Sequence, residues 1–244
     1  MNQSSGARLA PRAPDEPPQA EGPRAPADRD GGFIFTSELV TLAQDHGRSV
    51  VAVEHLVTEV ITRVLDPGRR GLAICGASKG VGVTFTAANL AVALSQVGVP
   101  TMLIDANMRE PGLQRLITPP EGWPGLSDWL AGAGDIDVGD LVCPEVLPNL
   151  SLIYAGAVAP DAAELLASDA FAELMRGCQR DYALTIVDTP PANRWADVRT
   201  ICKLTTYAMV VARRDATFVD DVATLVGELQ TDGVTLVGAV MNEV

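Results

Sequence analysis

The chain has 244 residues, 47% of them hydrophobic, and a formal net charge of −13. Its length and apolar content predict one large α/β domain, and its acidic balance argues against nucleic acid or an anionic membrane as a direct partner. No apolar run approaches the ~18 residues of a membrane span, and there is no apolar h-region of a secretory signal, so a cytoplasmic location without direct membrane insertion is expected.

Residues 1–32 are rich in Pro, Ala and charge, a composition that cannot offset the entropy of ordering; a disordered arm is expected. Residues 33–49 read as a linker, with Phe33, Ile34 and Phe35 forming an apolar cluster suited to docking on the domain or on a partner. The domain itself is expected over 50–244. A helix is predicted over 50–65 from Val53, Leu56, Val57, Val60, Ile61 and Val64, ended by Asp66-Pro67-Gly68. His55 lies in it and reads as a surface residue. His46 is the only other histidine, and no Cys/His spacing supports a metal. Strands are predicted over 72–75, 100–104, 150–154, 183–188, 207–212 and 234–241. Helices are predicted over 84–97, 125–132 and 161–181, and another is marked by Val219, Val222, Leu225, Val226 and Leu229, capped near Thr217. Strands alternating with helices predict a mostly parallel, doubly wound sheet in a three-layer α/β/α arrangement. Cys75, Cys143, Cys178 and Cys202 are dispersed without C-x-x-C spacing, which predicts reduced core thiols.

Residues 71–90, GLAICGASKGVGVTFTAANL, carry the chemistry. A short apolar strand runs into a glycine-rich turn and then a helix. Glycine lets backbone approach a ligand, and the helix start presents unused N–H groups and a positive dipole end. The stretch approaches the phosphate-binding loop G-x-x-x-x-G-K-[ST]: Gly82 and Thr84 stand at its second glycine and hydroxyl, five residues rather than four separate Gly76 from Gly82, and Val83 stands at the lysine position. Asp105 ends the second strand at the ligand edge of such a sheet; a helix N-cap is its alternative role. Asp188 ends the strand Leu184-Thr185-Ile186-Val187, the arrangement in which a carboxylate reaches Mg²⁺ directly or through water.

These segments resemble the cytoplasmic kinase domain of the bacterial tyrosine kinases of capsule and exopolysaccharide synthesis, within the deviant-Walker P-loop NTPases that include MinD and ParA. The resemblance runs from about residue 50 to the end and rests on GASKGVGVT, AANLA, LIDANMREP, GLSDWLAG, AGAVAPDAAELLAS, DYALTIVDTPP and LVGAVMNEV. It implies ATP or ADP with Mg²⁺ in the cradle, with Ser78, Lys79, Gly80, Val81, Gly82, Val83, Thr84 and Phe85 around the phosphates. It also implies Thr84, Asp105 and Asp188 at Mg²⁺, Asp105 and Asp188 as the catalytic carboxylates, and Asn242 near the adenine. The partners it implies are a membrane chain-length regulator (a polysaccharide co-polymerase) and further copies of the chain.

Four features depart from the family pattern. Val83 replaces the phosphate lysine, and Asn107 replaces the second acid of D-x-D. The first helix lacks E-x-x-R-x-x-R. Tyr154, Tyr182 and Tyr207 lie in or beside expected core segments, and no tyrosine cluster follows the last strand. Lys79 stands where MinD and ParA carry a signature lysine, so it is a candidate source of the missing charge; a solvated loop lysine is the alternative. Three functions stay open: a kinase-like ATPase with weak or lost autophosphorylation, a non-catalytic pseudokinase adaptor, and a MinD-like dimerising ATPase.

Overall fold

The computed structural model describes residues 32–42 and 47–243; the expected arm (all but Gly32) and His46 lie outside them. The elements in order are β1 (Ile34–Phe35), α1 (Arg48–Val60), β2 (Gly71–Gly76), α2 (Val83–Gln96), β3 (Thr101–Asp105), β4 (Ile117–Thr118), α3 (Leu126–Leu130), α4 (Val138–Leu141), β5 (Cys143–Leu147), β6 (Leu150–Ile153), α5 (Ala162–Leu166), α6 (Asp169–Asp181), β7 (Leu184–Asp188), α7 (Asp197–Thr205), β8 (Tyr207–Arg213), α8 (Val219–Thr231) and β9 (Thr235–Asn242).

A seven-stranded sheet in the order β5-β6-β3-β7-β2-β8-β9 forms the middle layer. Every pairing is parallel except β5 with β6. Strands β2, β3 and β7 are buried along their whole length, which is why they read as apolar runs rather than alternating ones. Alternate side chains of β2 feed two separate cores. Leu72 and Ile74 face the layer that holds α1 and α2. Ala73 and Cys75 face the layer that holds α6, α7 and α8. All four cysteines are buried and unbridged.

The segment before α1 belongs to the first layer. Ile34 and Phe35 pair with Thr118 and Ile117, and Leu39 is fully buried. Asn89, in the middle of α2, accepts the Val40 N–H at 2.8 Å and donates to the Glu38 carbonyl at 3.1 Å. A buried amide needs such partners, so these two bonds fasten the segment to the domain.

Several local readings are corrected. The helix expected over 161–181 is two helices, because Ser168 takes an extended conformation and its hydroxyl caps α6 by accepting the Phe171 N–H at 3.2 Å. The helix expected to 65 leaves α geometry at Ile61 and ends in a π turn, Ile61–Leu65. Thr217 does not cap α8; its hydroxyl accepts the Arg213 N–H at 2.8 Å, and Phe218 holds the cap position without a side-chain bond. Strand β5 and helix α7 have no counterpart among the predicted elements.

Candidate phosphate-binding site

The carboxyl ends of β2, β3 and β7 meet at one edge of the sheet. From β2 the chain enters the loop between Gly76 and Val83. Gly80 and Gly82 hold left-handed φ values of +76° and +94°, where a side chain is strained. At Gly82 a Cβ would lie 2.1 Å from Asn242 Nδ2, so the position accepts glycine alone. Gly82 passes the chain to α2, whose first turn has no side-chain cap. Its N–H groups are therefore available to an anion. The loop is braced from behind: Ala192 N–H donates to the Gly76 carbonyl at 3.0 Å and Asn193 N–H to the Ala77 carbonyl at 2.9 Å. Thr189 Oγ1 donates to the Ile74 carbonyl at 3.0 Å.

A cleft of about 270 Å³ opens over this loop. Of the residues singled out in the sequence, Ser78, Lys79, Gly80, Gly82, Val83, Thr84 and Phe85 line it. Val81 and Asn242 do not. Val81 is buried, and its methyl packs on Gly76. Asn242 Nδ2 donates to the Val81 carbonyl at 3.1 Å, so this side chain supports the back of the loop. The Val83 side chain also leans on Gly76, where a Cβ would lie 2.8 Å from it.

Beneath the cleft, Asp105 and Asp188 are paired across neighbouring parallel strands, and both are buried. Their surroundings differ. Asp105 Oδ1 accepts the Asn107 N–H at 3.0 Å, and its Oδ2 accepts those of Gly112 and Leu113 at 3.1 and 3.0 Å. Asp105 thus caps the turn that follows β3, the alternative role named above. Burial raises its pKa; the three N–H donors and the Arg115 charge act in the opposite direction. Neither Asp188 oxygen has a partner of hydrogen-bond geometry among the described residues. Burial and the Asp105 charge push its pKa well up, only partly offset by the nearby Thr84 hydroxyl and Thr189 N–H. A dry carboxylate without a donor in good hydrogen-bond geometry is costly unless a cation completes it.

That orphaned carboxylate is the observation that fits Mg²⁺. Mg²⁺ is held by one or two carboxylates together with water and phosphate oxygens. Asp188, Asp105 and the Thr84 hydroxyl supply such a set. Among the described residues no group of three His, Cys, Asp or Glu is placed to hold a metal ion.

Of the far wall of the cleft, only Asn107 stands out in the sequence. Asn107, Glu110, Gly112 and Arg115 form it. Lys79 Nζ lies 2.8 and 2.7 Å from the two oxygens of Glu110, and Arg194 stands 3.9 Å from the same carboxylate. Arg109 anchors this wall: its Nε meets Asp197 Oδ2 at 2.8 Å, its Nη1 donates to the Pro160 carbonyl at 3.0 Å, and its guanidinium lies 3.8 Å above the Trp195 ring. The usable signal was positional, since all these residues follow Asp105 at the carboxyl edge of the sheet.

No protein-family model matches the chain. The tyrosine-protein kinase Wzc of Salmonella typhi is 29% identical over 208 residues, covering 85% of this chain and 28% of that protein. The tyrosine-protein kinase Etk of Escherichia coli is 28% identical over 211 residues, covering 86% and 29%. The solved kinase domain of Etk superposes with a TM-score of 0.78 at 27% identity, over 84% of this chain and 80% of that one.

The chain is a homologue of the bacterial tyrosine-kinase domains.

It spans less than a third of the length of these curated relatives. The septum site-determining protein MinD of Pyrococcus horikoshii, solved with Mg-ADP, shares the fold at a TM-score of 0.62 and 21% identity, over 71% of this chain and 70% of that one. The homologue therefore has the P-loop NTPase architecture, with its glycine loop, Thr84, Asp105 and Asp188 at the ligand edge of the sheet. Its described residues hold no helix long and apolar enough to cross a membrane.

Proposed function

We propose that this domain binds ADP and ATP with Mg²⁺ in the cleft over Gly76–Thr84, and that it serves capsule or exopolysaccharide synthesis and export on the cytoplasmic side of the membrane. The observation that carries the reading is the orphaned Asp188 carboxylate beside Thr84, at the uncapped start of α2. Loop and helix N–H groups would hold phosphate oxygens. Thr84, Asp188 and Asp105 would hold Mg²⁺, whose charge supports phosphoryl transfer when it is bound. Asp105 would also orient an acceptor hydroxyl. The membrane chain-length regulator and further copies of the chain are its partners on the resemblance to the capsule kinases.

Tyrosine phosphorylation is weak or lost in this reading. Val83 leaves the cleft without the loop lysine, and Lys79 is held by Glu110. Tyr154 is buried, and its hydroxyl donates to the Ile117 carbonyl at 2.9 Å, so it offers no acceptor. These observations favour, as a second reading, a non-catalytic adaptor that still carries nucleotide. Equilibrium dialysis with radiolabelled ADP and Mg²⁺, followed by a phosphotyrosine blot after incubation with ATP, tests both. Saturable ADP binding with little or no phosphotyrosine is expected. No ADP retained at millimolar concentration would overturn the nucleotide reading.

A further inference from the structure

We propose that Arg115 is the phosphate-binding cation of this cleft, taking over the charge that position 83 does not carry. The inference rests on the nucleotide reading above. Among the described residues two cations line the cleft, Lys79 and Arg115. Lys79 is committed: both oxygens of Glu110 lie within 2.8 Å of its Nζ. A phosphate must compete with Glu110 for that ammonium. Arg115 pairs with no acid among the described residues. Its Nη2 donates to the Pro111 carbonyl at 3.3 Å, which leaves other donors of the guanidinium for a ligand. A guanidinium matches phosphate oxygens two at a time, which an ammonium cannot do.

The turn that carries Arg115 is fixed against the site. Its first residues, Gly112 and Leu113, donate to Asp105 Oδ2 at 3.1 and 3.0 Å. Arg115 N–H closes the turn on the Gly112 carbonyl at 3.1 Å. Gly112 lies so close to Thr84 that a Cβ would stand 3.0 Å from Thr84 Oγ1. The Arg115 backbone is thus one short turn from the hydroxyl expected at Mg²⁺, and the guanidinium charge already reaches Asp105. A cation on the wall opposite α2 approaches the same terminal phosphates that a lysine at position 83 would approach from the loop. The loss at Val83 and the presence of Arg115 then form one arrangement, with Glu110 keeping Lys79 out of it.

Calorimetric titration of the full chain with ADP and Mg²⁺ tests the assignment in the natural protein and in Arg115→Gln, Lys79→Gln, Val83→Lys and the double variant Val83→Lys with Arg115→Gln. Arg115 is exposed, so its replacement leaves folding intact, and circular dichroism melting verifies this. The expected result is about a tenfold or greater loss for Arg115→Gln, a loss below about threefold for Lys79→Gln, and recovery of most affinity in the double variant. Natural affinity in Arg115→Gln, or a larger loss in Lys79→Gln, would overturn the assignment. Binding by Val83→Lys alone, with none by the natural protein, would also overturn it while leaving the nucleotide pocket standing. Binding by neither would sink the nucleotide reading and the Arg115 assignment with it.

Discussion

Asp105 and Asp188 occupy the same level on adjacent parallel strands, yet the fold treats them in opposite ways. Asp105 receives three backbone N–H groups from the turn it organises. Asp188 receives none of hydrogen-bond geometry. A buried carboxylate with donors is part of the architecture. One without them in good geometry is a cost that folding alone does not recover, and its position beneath the cleft points to a cation. The difference separates a carboxylate that builds the site from one that the site leaves open.

Breaking the first member of the pair should have the largest effect on stability. Asp105→Ala strands the N–H groups of Asn107, Gly112 and Leu113, and should cost about 3–4 kcal/mol at these buried positions. Chemical denaturation with an unchanged m-value checks this. The same change frees the turn that holds Arg115, so nucleotide affinity should fall as well. Breaking the second member should do the reverse. Asp188→Asn should leave the ligand-free protein as stable as the natural one or more so, while weakening Mg²⁺-dependent nucleotide binding by about 30-fold, roughly 2 kcal/mol. Titration of ADP with and without Mg²⁺ reads this directly.

The pH dependence sharpens the contrast. Both carboxylates have folded pKa values above the ordinary value of 3.8: burial raises both, and the Asp105 charge pushes Asp188 well above it. The folded state therefore holds protons that the unfolded chain releases. The contribution of the pair to stability is present below about pH 3.8 and is lost as pH rises through their folded pKa values. Asp188→Asn should flatten that decline, so its stabilising effect should grow with pH; guanidinium melts across the pH 4–8 range measure it. The smallest expected effect belongs to Asn107→Asp. Asn107 Oδ1 accepts the Glu110 N–H at 3.2 Å, and a carboxylate can keep that bond. A third acid near the pair should raise Mg²⁺ affinity by about threefold and lower ligand-free stability by about 1 kcal/mol or less.

The same contrast shows what the sequence displays and what it hides. The strands β2, β3 and β7 were legible because burial on both faces leaves a continuous apolar run with a punctuating glycine or aspartate at its exit. The glycine loop was legible because left-handed backbone at Gly80 and Gly82 restricts the residue type. Helix α7 is short, and its apolar spacing at Val198, Ile201 and Cys202 follows Pro190-Pro191 closely, which leaves it a weak periodic signal. Strand β5 was hidden because it is an edge strand containing Pro144 and a bulged register, which break alternation. In the site, Asp105 and Asp188 look alike in sequence. Their difference comes from the turn at Gly112 and Leu113, which tertiary packing places and no local motif announces. Glu110 and Arg115 were missed for a related reason: a charged residue in a loop reads as solvated until the fold shows which wall it belongs to.

The central claim is that Asp188, which has no partner of good hydrogen-bond geometry among the described residues, holds a cation that arrives with a nucleotide. The most direct test is the melting temperature of the natural protein and of Asp188→Asn, each with ADP plus Mg²⁺ and with ADP plus a chelator. The account predicts a rise of several degrees for the natural protein that needs Mg²⁺, and no Mg²⁺-dependent rise for Asp188→Asn. An equal rise with and without Mg²⁺, or an Asp188→Asn variant that responds to Mg²⁺ like the natural chain, would contradict it.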